Sequence, residues 1–86
     1  MKSFPHTMQT NYPMLFGTAG RLAELAHCYP DTTGILEMGS RRADISHPIN
    51  LMTMGVRKGD RVTVSAEGPS EAELIDVLYE YFDCAM

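Results

Sequence analysis

From Met1 to Thr10 the chain alternates, with Phe4, His6 and Met8 on one side and Ser3, Thr7 and Gln9 on the other. That two-residue period predicts a half-buried strand. Pro5 has no N–H to give a ladder, so the strand belongs at a sheet edge or loses one bond there. Asn11-Tyr12-Pro13 reads as a turn. The period then lengthens. Ala19, Leu22, Leu25 and Ala26 form a helical stripe with Thr18 as its cap, and Tyr29-Pro30-Asp31 ends it. Thr32 to Met38 reads as a strand, Gly39-Ser40 as a tight hairpin turn, and Arg41 to Ile45 as the returning strand.

Ser46-His47-Pro48 opens a second helix, with proline where a missing N–H does no harm. Ile49, Met52 and Leu51 supply its apolar surface, and Gly55 is its left-handed stop. A helix of about two turns needs packing to hold it. Past the charged turn Arg57-Lys58-Gly59-Asp60, Val62, Val64 and Ala66 point in while Arg61, Thr63 and Ser65 point out. Ser70 and Glu73 have the spacing of a capping box before the last helix. Its stripe is Ile75, Leu78, Tyr79 and Phe82, widened by Leu74, Val77 and Tyr81; Glu71, Glu73, Asp76, Glu80 and Asp83 fill the polar side without one base. The order β-α-β-β-α-β-α predicts an α+β fold. A single domain over residues 1–86, one antiparallel sheet with helices on one face, is the compact solution.

Composition narrows the function. Hydrophobic residues make up 44% and charged residues 21% of the 86, which excludes a disordered tail. Eleven acids against seven bases give a net charge of −4, which argues against a nucleic-acid binder. No apolar run approaches the roughly 18 residues of a membrane span, and the N-terminus has no signal-type apolar core, so the expectation is a cytoplasmic protein. Cys28 and Cys84 form no metal-type cluster, no histidine pair has metal-ligand spacing, and neither thiol has an evident base. Phe16-Gly17-Thr18-Ala19-Gly20 hints at a phosphate cradle but lacks the Lys-Ser/Thr ending of a P-loop. No metal or cofactor is implied.

The stretches Leu51-Met52-Thr53-Met54-Gly55-Val56-Arg57-Lys58-Gly59-Asp60 and Val62-Thr63-Val64-Ser65-Ala66-Glu67-Gly68, with Arg21-Leu22-Ala23-Glu24-Leu25-Ala26 before them, resemble HPr, the histidine phosphocarrier family of the bacterial sugar phosphotransferase system. The resemblance implies an open-faced β-sandwich of four antiparallel strands with three helices on one side. It also implies a role in which phosphate is taken from enzyme I and passed to the sugar-specific enzymes II. The family does so through Gly-Leu-His-Ala-Arg-Pro-Ala at the start of the first helix, where the helix N-terminus and the arginine hold the anion.

Counted back from Glu24-Leu25-Ala26, the histidine position holds Leu15, the arginine position Gly17 and the proline position Thr18. Leucine has no lone pair to attack phosphorus. The reading is therefore a non-catalytic HPr-like protein, not an enzyme, acting as a regulatory or protein-binding module. Its partners would be proteins, with phosphotransferase or catabolite-repression components as the candidates and a homodimer as a further option. The docking surface implied by the resemblance is Leu15, Phe16, Gly20, His47, Pro48, Ile49 and Met52. Two alternatives stay open. One is an atypical phosphocarrier that accepts phosphate at His47, the position of the regulatory serine in many Gram-positive members, or that is regulated at the neighbouring Ser46, which otherwise serves as a cap. The other is a small homo-oligomeric scaffold. His6 and His27 read as structural.

Overall fold

A computed structural model of the protein describes residues 1–9 and 16–85, the side chains of 16–18 and 85 excepted. The elements are β1 (Lys2–Thr7), α1 (Phe16–His27), β2 (Thr33–Met38), β3 (Arg41–Asp44), α2 (Pro48–Thr53), β4 (Arg61–Glu67) and α3 (Glu71–Ala85), in the order expected. The turn expected at Asn11-Tyr12-Pro13 lies outside the described residues. The strands form one antiparallel sheet in the order β1-β4-β2-β3. β1 is an edge strand, which is where Pro5, opposite Thr63, can sit. Met38 pairs with Arg41 across a two-residue turn whose first residue, Gly39, has φ 63°. A left-handed first position gives this turn the twist a hairpin needs.

Alternation decides which side of the sheet is covered. Val62, Val64 and Ala66 of β4 and Leu36 of β2 are buried with Leu22, Leu51, Leu74, Leu78 and Phe82 of the helices. The other face is open, with Ser3, Pro5, Thr7, Arg61 and Thr63 exposed. Ser65 departs from the expected pattern: it is buried although it points to the open face, because β4 is central and Ser3 and Ile35 flank it across both ladders. This is the open-faced sandwich, with α3 against β1 and β4, and α1 against α2 and α3.

Helix ends and faces differ from expectation on each of the three helices. α1 begins at Phe16, so Thr18 lies within its first turn and is not its cap. α2 buries Leu51, with Met54 just beyond its end, and leaves Ile49 exposed. On α3 the buried line is Leu74, Leu78 and Phe82; Tyr79 lies outside it and meets Phe4 edge-on, ring centroids 5.1 Å apart. The Ser70 N–H is bonded not by Glu73 but by the hydroxyl of Thr32 at 2.9 Å. That crossing is tight. A Cβ on Gly68, whose φ is 145°, would stand 2.6 Å from the Asp31 carbonyl oxygen and 2.7 Å from Thr32 Cα.

Candidate functional site

α1 and α2 pack against each other, and Leu22 of α1 and Leu51 of α2 are both fully buried in the shared core. Part of the expected docking set belongs to this pair of helices: Gly20 to α1, Pro48, Ile49 and Met52 to α2, and His47 to the position that caps α2. Gly20 is half-buried, and a Cβ there would meet nothing within 4 Å. Ile49 is 62% exposed, while Met52, one turn further on, is half-buried against the core. Leu15 lies outside the described residues, as do the side chains of Phe16 and Thr18.

The entry to α2 is built on Asp44. Its Oδ1 accepts the Ser46 N–H at 2.9 Å and the Ser46 hydroxyl at 2.7 Å. Its carbonyl accepts the His47 N–H at 3.0 Å. An aspartate that bonds the backbone two residues on makes a turn by itself. Ser46 is consequently not the cap. His47 holds that place in extended backbone (φ −114°, ψ 90°), its carbonyl taking the Leu51 N–H at 3.2 Å, and its exposed ring makes no capping bond. A phosphoryl group on Ser46 would stand against the Asp44 carboxylate.

The other two histidines are His6 on β1 and His27 on α1. His6 points inward from β1; its ring meets Phe82 edge-on at 5.3 Å, and its buried Nε2 has no hydrogen-bond partner among the described residues. His27 is exposed in the last turn of α1, at the carboxyl end of a helix of 12 residues. The segment 7–26 contains no histidine at all. Among the described residues, no group of three or more His, Cys, Asp or Glu side chains is placed to hold a metal ion, and no helix is long and apolar enough to cross a membrane. Cys28 and Cys84 are exposed free thiols.

Two features escaped the sequence reading. One is a groove of about 440 Å³ beside the carboxyl end of α1, lined by His27, Pro30, Thr33, Asp44 and Ser46 among others. The other lies between β3 and α2. Both join residues from separate elements, so no local pattern signals them.

No curated protein sequence matches the chain. The family model of the PTS HPr component phosphorylation site matches residues 17–83. Among solved structures, HPr-C-His from Thermoanaerobacter tengcongensis is 22% identical with a TM-score of 0.86, over 96% of this chain and 92% of that one. A mycoplasma histidine-containing phosphocarrier protein is 18% identical with a TM-score of 0.89, over 98% and 96%. Crh, the catabolite repression protein of Bacillus subtilis, described as a swapped dimer, is 20% identical with a TM-score of 0.76, over 91% and 88%. At such identities the likeness to each structure is one of fold.

Proposed function

The chain belongs to the HPr family of the phosphotransferase system, and on that premise we propose that it is a non-catalytic member, a regulatory module that binds protein partners through the adjoining surfaces of α1 and α2. The observation that carries this is the position of its imidazoles. The family's phosphoryl transfer starts from a histidine at the amino end of the first helix, and here that stretch holds Leu15 and Gly17 in place of the histidine and arginine. Neither can accept or neutralise a phosphoryl group.

Ile49 supports the binding half of the reading. An isoleucine left 62% exposed beside Met52 offers apolar area that a partner would cover. The partners would be proteins of the phosphotransferase system or of catabolite repression, for which the likeness to Crh is a precedent.

Incubation with phosphoenolpyruvate and enzyme I, followed by intact mass, tests the reading: no added phosphate is expected. The exposed ring of His47 favours one competing reading, an atypical phosphocarrier. An acid-labile phosphate that disappears in His47→Gln would establish it and overturn ours. A dimer in sedimentation that disperses in Ile49→Ser would instead identify a homo-oligomeric scaffold.

A further inference from the structure

The open face of the sheet carries a charge pattern that the ladders place residue by residue. Arg61, Thr63, Ser65 and Glu67 point to it from β4. Ile35 and Glu37 of β2 stand opposite Ser65 and Thr63, and Asp44 and Arg42 of β3 stand opposite Ile35 and Glu37. β3 and β4 are each antiparallel to β2, so they run the same way. Both bases therefore lie toward the end of the sheet where β4 begins, and Asp44 and Glu67 lie toward the end where it finishes. Among the described residues, Arg42, Arg61, Glu37 and Glu67 have no ion-pair partner within the chain. Asp44 uses Oδ1 for Ser46. Ser3, Pro5, Thr63 and Ser65 between the charges are small, so nothing bulky stands in the way of a flat body.

We propose that a second copy of this chain packs on this face, the two sheets related by a two-fold axis that lies between them and runs across the strands. That rotation sets each strand over its own counterpart with the direction reversed. Arg61 of each copy then meets Glu67 of the other, Arg42 meets Asp44, and Thr63 meets Ser65. Such a contact is self-complementary, as a two-fold interface must be. An axis along the strands would instead set Glu67 against Thr33, Arg42 against Pro5 and Asp44 against Ser3, and would pair no opposite charges. The charges thus select the first axis. Glu37 is the poorest match, opposite Ile35 of the other copy but beside Arg42 in its own ladder. Stacked sheets stand about 10 Å apart, a gap that an arginine and a carboxylate side chain bridge together. Four strands by the seven residues of β4 make a face of about 400 Å², about half of what each partner gives to a standard interface. The pair is therefore weak and depends on its reciprocal ion pairs. The helices cover the other face, so the proposal stands apart from the docking reading above and either can fail alone.

The test is a dilution series of the 15N-labelled protein from millimolar to micromolar concentration, followed by amide shifts, with sedimentation equilibrium for the mass. A dimer should form at the high end in low salt, with shifts at Ile35, Arg42, Thr63 and Ser65. About 1 M salt, which screens charges beyond about 3 Å, should weaken it at least about tenfold. Arg61→Glu and Glu67→Arg should each do the same by facing like charges. The second variant lowers the net charge of −4 and would strengthen a merely diffuse association. Mixing the two single variants should restore the dimer, as should the double variant R61E/E67R, because opposite charges meet again. A chain that stays monomeric at millimolar concentration, or a mixture that does not recover, overturns the proposal. So does a dimer that survives both the salt and the single variants, which would mean exchanged strands, and one that is lost in Ile49→Ser, which would move the contact to α2. Arg61 and Glu67 are both exposed, so their variants keep the fold; should one not, Arg42→Glu takes its place and should weaken the dimer in the same way.

Discussion

Gly68→Ala puts a methyl group where two backbones cross. The new Cβ would lie 2.6 Å from the Asp31 carbonyl oxygen, 2.7 Å from Thr32 Cα and 2.9 Å from Thr32 Oγ1, in a residue whose φ of 145° is itself unfavourable for a side chain. The backbone conformation costs about 1–3 kcal/mol. The overlap costs about 1–3 kcal/mol more, because main-chain atoms cannot rotate away as a side-chain tip would. The sum is about 2–6 kcal/mol, against a total of about 4–13 kcal/mol for a domain of this size. Urea denaturation followed by circular dichroism should show a lower midpoint at unchanged slope, and the melting temperature should fall by at least about 8 °C. Gly59→Ala is the control. Gly59 has φ 90° with open space around its Cβ direction, so alanine there pays only for the backbone, about 1–2 kcal/mol. Equal losses in the two variants would refute the reasoning, since the crossing would then contribute nothing. Thr32→Val tests the same junction from the other side: the Thr32 hydroxyl donates to Asp31 Oδ1 at 3.1 Å and accepts the Ser70 N–H at 2.9 Å, and its loss should cost about 1–3 kcal/mol.

Three further outcomes follow from the geometry. A Cβ on Gly34 would stand 2.6 Å from Ile45 Cδ1, so Gly34→Ala should cost about 1–3 kcal/mol; Ile45→Val should recover part of that in a double-mutant cycle by urea denaturation, and strict additivity would disprove the contact. Asp44→Ala removes both bonds to Ser46 and should cost about 1–3 kcal/mol, with faster amide exchange at Leu51 as the local readout; unchanged exchange would show that α2 does not depend on Asp44. The hydrogen bond from the Met1 ammonium, 3.0 Å from the Glu71 carboxylate, holds the Glu71 pKa below the ordinary glutamate value. Its contribution is present above the ordinary glutamate range and is lost as pH falls through the lowered folded-state value. An NMR titration should find that depression, Glu71→Gln should flatten the acid limb of stability against pH, and a Glu71 midpoint at or above the ordinary value would contradict the pairing.

The sequence made legible what rests on period and local stereochemistry. Alternation in Arg61–Ala66 marked β4, the glycines at 39 and 55 marked a hairpin and a helix stop, and Pro5 marked an edge strand; all depend on a few neighbouring residues. Facing and capping were less legible, because partners remote in sequence decide them. Ile49 and Leu51 are equally apolar on a helix of six residues, and only the position of α1 selects Leu51 as the buried one. Ser70 and Glu73 satisfy a capping pattern, yet a hydroxyl 38 residues away takes the N–H. Tyr79 fits the helical stripe but lies over the sheet margin, where no strand beyond β1 remains to cover it. Of the docking set, His47, Ile49 and Met52 could be named from the resemblance, whereas the groove between β3 and α2 needs two segments that no local pattern connects.

The ladder between β1 and β4 joins Lys2 to Ala66, so during translation β1 has no partner in the sheet until β4 has been synthesised. During translation the nascent chain can close the β2–β3 hairpin, whose ends are near neighbours, but its opening residues must wait. Their pairing closes a long loop and comes late. The finished sheet is thus sealed by β4, and a chain cut short before residue 61 would leave β1 unpaired.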